Sequence, residues 1–187
     1  VISDEIHCDM ALFGNRHIPF ASVSPEAAAC SITFGAPSKT FNIAGIVSSY
    51  SVVPNDSLRH RFHEWMEANE MNAAPLFSPI ATIAAFRKGE EWRKQMLEYV
   101  EGNINFLTDY CREKMPEIKP LRPQASFLVW LDCRSLGLDH DQLIDLFINK
   151  SGLALNDGEM FNPGGQGFMR LNVGTPRKIL KSALDRL

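Results

Sequence analysis

Three short stretches hold side chains that could do chemistry together: Asp4-Glu5-Ile6-His7, Ser38-Lys39-Thr40-Phe41-Asn42-Ile43-Ala44-Gly45 and Gly167-Phe168-Met169-Arg170-Leu171-Asn172. Lys39 is the centre of the set. An exposed amine is protonated at neutral pH and is a poor nucleophile, whereas one held in a partly desolvated site can lose its proton and form a Schiff base. An anion such as Asp4, placed beside a desolvated cation, would hold that cation charged. The guanidinium of Arg170 could take a carboxylate through two parallel N–H bonds, a geometry lysine cannot copy. Taken singly, each has an ordinary reading. Lys39 is one of eight lysines that would by default face solvent, and Asp4 could be a turn acid. His7 could be a satisfied, partly buried histidine and Arg170 a strand-edge ion-pair partner.

In combination and in this order, the three stretches resemble the pyridoxal-phosphate (PLP) aminotransferase class I/II family of fold type I. Within it they look most like the cystathionine β-lyase and C–S lyase subgroup. The resemblance implies that Lys39 carries the cofactor and acts as general base at Cα. It implies that Asp4 keeps a proton on the pyridine nitrogen, and that His7, where many members carry tyrosine, donates to the cofactor's ring oxygen. Ser38 becomes a phosphate-side or lysine-side contact, and Arg170 the anchor of the substrate carboxylate. Two positions depart from the pattern: the usual serine three residues before the lysine is Ala36, and the arginine expected eight residues after it is Val47. The phosphate site must then be completed by other residues. The implied reaction is β-elimination from an amino acid, giving pyruvate, ammonia and a thiol in a homodimer. Transamination uses the same groups, so the motifs leave both open. A regulatory or binding module on the same fold, or an inert fragment, remain as alternatives of another class.

Composition sets the surroundings. The 187 residues are 45% hydrophobic, enough for a sizeable core, with a net charge of −3 that offers no basic surface for nucleic acid. No run of eighteen apolar residues suggests a membrane span. Cys8, Cys30, Cys111 and Cys133 are scattered without Cys-x-x-Cys spacing, which argues for free thiols, against a structural metal, and for a cytoplasmic setting. Val1-Ile2-Ser3-Asp4 reads as a strand already in progress, so the chain is expected to be the C-terminal portion of a longer protein.

The elements that must position these groups follow from hydrophobic periodicity. Residues 1–3, 28–34 and 46–53 read as strands buried on both faces of a mainly parallel sheet, with functional groups at strand ends. Asp56 to about Asn72, and Pro79 to about Gly89, read as helices. Residues 90–115 carry a stripe of Trp92, Met96, Val100, Ile104, Leu107, Cys111 and Met115 and read as one helix of about 39 Å, with Gly102 and Asn103 in its middle weighing against a coiled coil. Residues 126–132 and 168–173 read as strands. Asp139 with Gln142 forms a capping box ahead of a helix closed by Gly152, and Thr175-Pro176 supplies an N-cap and first-turn proline to the last helix. The expected fold is α/β: residues 1–89 as the remaining part of the PLP-binding large domain, 90–116 as a linking helix, and 117–187 as a small α+β domain.

Overall fold

The structure is a computed structural model that describes residues 1–161 and 163–187. It divides into two compact units, Val1–Met96 and Leu97–Leu187.

In the first unit, β1 (Ile2–Asp4) runs parallel to β2 (Ile32–Gly35), and β2 pairs antiparallel with β3 (Tyr50–Val52), in the order β1-β2-β3. The region read as one strand from residue 28 instead begins as helix. Ser24 accepts from the Ala27 amide at 3.2 Å and Pro25 occupies the first turn, so α1 (Pro25–Ala29) forms before the chain turns into β2. The third strand is also shorter than expected, because Ala44–Ile46 forms a tight helical turn. Burial on both faces is not seen for β1, where Ile2 is 76% exposed.

Besides α1, four α-helices lie in or begin in this unit: α2 (Pro37–Thr40), α3 (Asp56–Ala68), α4 (Ser78–Lys88) and α5 (Glu90–Lys114). Asn55 caps α3 by accepting from the Leu58 amide at 2.9 Å. No α3 side chain is fully buried, and Ile80, Ile83 and Phe86 of α4 remain exposed, so both helices leave apolar faces open within this chain.

The second unit is built on an antiparallel sheet ordered β4-β5-β7-β6, comprising β4 (Lys119–Leu121), β5 (Leu128–Asp132), β6 (Asn156–Asp157) and β7 (Phe168–Asn172). Alternation puts Val129 and Leu131 of β5, with Met169 and Leu171 of β7, into the core; Trp130, Phe168 and Arg170 occupy the alternate positions. Against the core face pack Val100, Ile104, Leu107 and Cys111 of α5, Leu143 and Phe147 of the segment that follows Asp139, and Leu180 and Leu184 of α7 (Arg177–Leu184).

The capping box is present: Asp139 Oδ1 accepts from the Gln142 amide at 2.9 Å, and Gln142 Oε1 accepts from the Asp139 amide at 3.1 Å. It opens α6 (His140–Ile144), which continues as a π-helical stretch to Lys150 before Gly152 turns the chain at φ +65°. The last helix starts one residue later than its sequence suggests. Its first amide, Arg177 N, donates to the Tyr99 hydroxyl at 2.7 Å, and Pro176 stands at the cap, with no capping by the Thr175 side chain.

Candidate functional site

The parallel register pairs Ile2 with Ile32 and Asp4 with Phe34, so Asp4 closes β1 at the end where β2 runs on through Gly35 into the lysine turn. Asp4 and Lys39 thus both leave the carboxyl end of adjacent parallel strands, where open α/β sheets collect ligands. Asp4 is exposed, and its Oδ1 accepts from the Ile6 amide at 3.2 Å.

Glu5 anchors this corner. Its amide extends the ladder to Phe34 O at 2.8 Å, while its buried carboxylate accepts from Ser3 Oγ and the Phe20 amide, each at 2.9 Å, and lies 2.6 Å from His17 Nε2. Burial alone would push the Glu5 carboxyl up, but the His17, Phe20 and Ser3 hydrogen bonds outweigh it and hold it below its ordinary value. His7 follows half-buried, and its carbonyl receives the Met10 amide at 3.0 Å. Burial and the nearby Asp9 push the Cys8 thiol up to about 11, so it is not a thiolate nucleophile at neutral pH.

Lys39 lies in α2, whose cap is the buried Ala36, which makes no side-chain capping bond; the residue that replaces the family's serine leaves that helix start without a hydroxyl. The Lys39 side chain is exposed in this chain, in contrast to the partly desolvated position expected, and Ser38 is half-buried. Among the described residues neither Lys39 nor Asp4 forms an ion pair.

The turn beyond Lys39 is held firmly. Ser78 Oγ donates to Ile46 O at 2.5 Å, the Ser48 and Thr82 hydroxyls are 2.7 Å apart, and Phe41 packs edge-on to Phe86 with centroids 5.5 Å apart. Val47, at the place of the expected arginine, is exposed with φ +53°, a strained setting for a β-branched residue. Gly35 lets the Tyr50 ring lie over the strand, since a Cβ there would stand 2.5 Å from the ring and hydroxyl and the half-exposed ring would have to shift. The donor set fits PLP: an accessible amine and an accessible carboxylate, neither neutralised by a partner, share one sheet end.

Arg170 belongs to the second unit, at the middle of the alternate face of its sheet. Its cross-strand neighbours are Trp130 on β5 and Asn156 on β6. Nη2 donates to Asn156 Oδ1 at 3.0 Å, the guanidinium carbon stands 4.3 Å from the centroid of the Phe161 ring, and Nε is buried with no hydrogen-bond partner among the described residues. No described carboxylate pairs with it, so it is not the strand-edge ion pair of the ordinary reading and keeps donors for an anion. The Gly164-Gly165-Gln166-Gly167 stretch is a turn before β7, with Gly164 and Gly167 at positive φ.

Sequence reasoning missed Glu5, Asn103, Asn156 and Phe161. Asn103 stands three residues after Val100, on the buried face of the stripe that begins at Trp92, and that spacing was the signal that could have found it. It is fully buried, donating from Nδ2 to Val173 O and Thr175 O at 2.8 Å each and accepting from Arg177 Nε at 2.6 Å. The other three have no pattern signal of their own, since their partners lie across strands or loops.

Among the described residues no group of three His, Cys, Asp or Glu side chains could hold a metal ion, and no helix is long and apolar enough to cross a membrane. No family model matches the chain. Along its whole length of 187 residues it is 38% identical to cystathionine β-lyase PatB of Bacillus subtilis strain 168, covering 48% of that protein. A PLP-bound candidate aminotransferase of Clostridium difficile 630 superposes with a TM-score of 0.95 at 41% identity, over 99% of this chain and 48% of that one. Cystalysin of Treponema denticola, whose structure contains pyridoxal 5'-phosphate, gives 0.94 at 31% identity, over 99% and 47%. The chain therefore spans about half the length of the relatives it matches. Its mixed α/β architecture is that of these proteins, and along its whole length the chain is similar to cystathionine β-lyases and to PLP-bound C–S lyases and aminotransferases.

Proposed function

We propose that the protein containing this chain binds pyridoxal 5'-phosphate and breaks C–S bonds of amino acids by β-elimination, releasing pyruvate, ammonia and a thiol. The observation that carries this reading is the parallel β1–β2 register, which sends Asp4 and Lys39 out of the same end of the sheet, in a chain whose relatives include a cystathionine β-lyase. When bound, the cofactor supplies an electron sink that acidifies the substrate's Cα–H bond. Lys39 Nζ holds the cofactor and takes the Cα proton, for which the amine must be uncharged. Asp4 keeps the pyridine nitrogen protonated through its carboxylate, His7 donates a hydrogen bond to the ring oxygen, and Ser38 sits on the phosphate side. Arg170 fixes the substrate by its carboxylate.

In this reading residues 1–89 contribute to the cofactor domain, 90–116 link, and 117–187 form the small domain of a cytoplasmic homodimer. Desolvation of the exposed Lys39 then comes from parts of the assembled enzyme outside this chain. Transamination is the second reading, favoured by the 41% identity to the candidate aminotransferase.

The test uses the full-length protein with L-cystathionine. Steady pyruvate release that vanishes in Lys39→Ala, together with loss of the visible band of lysine-bound cofactor, supports the lyase. Exchange of amino and keto acids without pyruvate release supports the transaminase, and a cofactor band that survives Lys39→Ala removes Lys39 from its role.

A further inference from the structure

Arginine binds a carboxylate bidentately only if the guanidinium plane is fixed in two respects: its tilt, and its rotation within the plane. At Arg170 the two constraints come from different residues. The Phe161 ring lies 4.3 Å from the guanidinium carbon and sets the tilt, while the 3.0 Å bond from Nη2 to Asn156 Oδ1 sets the rotation. Phe161 is itself held, with Trp130 edge-on at 5.3 Å and 82°. The loop carrying it is closed by a glycine contact that admits no side chain: a Cβ on Gly158 would lie 2.2 Å from Gly165 O and 2.5 Å from Phe168 O. Trp130, in turn, is the cross-strand neighbour of Arg170 on β5.

We infer that Phe161 and Asn156 are positioning residues that orient Arg170 for the carboxylate of an amino-acid substrate. The inference rests on the carboxylate role proposed for Arg170. It assigns discrimination between an amino acid and a carboxylate-free amine to a ring and an amide, neither of which touches the reacting atoms.

The test is calorimetric affinity of the cofactor-loaded full-length protein for L-alanine and for L-alaninamide, which share an amine and differ at the carboxylate. Phe161→Leu is expected to weaken L-alanine binding roughly fivefold while leaving L-alaninamide unchanged, and Phe161→Tyr to restore the wild-type affinity. Asn156→Ala, at an exposed position, provides a second variant should Phe161→Leu fail to fold; it is expected to lose L-alanine selectively, by up to about tenfold. Arg170→Lys is the reference. If it loses L-alanine selectively while Phe161→Leu and Asn156→Ala do not, the positioning inference is overturned and the role of Arg170 stands. Equal loss of both ligands in Phe161→Leu overturns the inference as well, by making the ring merely structural. An unchanged Arg170→Lys removes the carboxylate role and the inference with it.

Discussion

Glu5 shows how one buried carboxylate can organise a corner of a site without entering the chemistry. It collects the Ser3 hydroxyl, the Phe20 amide and the His17 ring, joining the end of β1 to a loop fifteen residues on. Glu5→Gln should cost about 2 kcal/mol of stability, since charge-assisted bonds are replaced by weaker neutral ones. Chemical denaturation at pH 7 measures it. Because the folded-state carboxyl lies below its ordinary value of 4.5, Glu5's contribution is fully present above about pH 4.5 and is lost as pH falls through the folded value. The melting temperature of Glu5→Gln should therefore fall less steeply than wild type over that acid range. A parallel decline in both proteins would assign the acid sensitivity elsewhere. At Val47, a β-branched residue in the left-handed region, Val47→Gly should stabilise the fold by up to about 1 kcal/mol, seen as a raised melting temperature. A lower one would mean that the exposed side chain makes contacts in the assembled protein.

At the scale of elements, α5 carries the main lesson about patterning. Gly102 and Asn103 weigh against a coiled coil but not against a helix, and the helix expected from the stripe runs unbroken from Glu90 to Lys114, about 37 Å at 1.5 Å per residue. Asn103 tethers the segment after β7 to that helix and fixes where α7 begins. Asn103→Leu leaves two carbonyls and a guanidinium N–H without their partner and should destabilise by about 3 kcal/mol in thermal or urea unfolding. A change under a few tenths would mean the segment after β7 does not depend on this tether. Periodicity was enough to find α3, α4, α5 and β5, and the Asp139–Gln142 capping box is legible because it is a local, four-residue pattern. The strand boundaries around residues 28 and 46 were not legible, because short apolar runs fit helix and strand alike and the Ser24-Pro25 start decided the first in favour of helix. Asp4, Lys39 and Arg170 could be picked out only by the wording of their neighbours. The Arg170 surroundings, built from three strands and a loop, had no one-dimensional signature.

For the whole molecule, two features bear on function. Each unit holds part of the proposed machinery, the amine and the acid in Val1–Met96 and the guanidinium in Leu97–Leu187. The chain also corresponds to only about half of each relative reported above. The apolar faces of α3 and α4 and Lys39 are exposed in this chain, and under the proposed function they are covered in the assembled protein. The account stands on a covalent bond between Lys39 and the cofactor, and the most direct measurement is borohydride reduction of the PLP-loaded full-length protein followed by peptide mapping. A pyridoxyl label on the peptide containing Lys39, at close to one per chain, is the predicted result. A label on another lysine, or none, would contradict it.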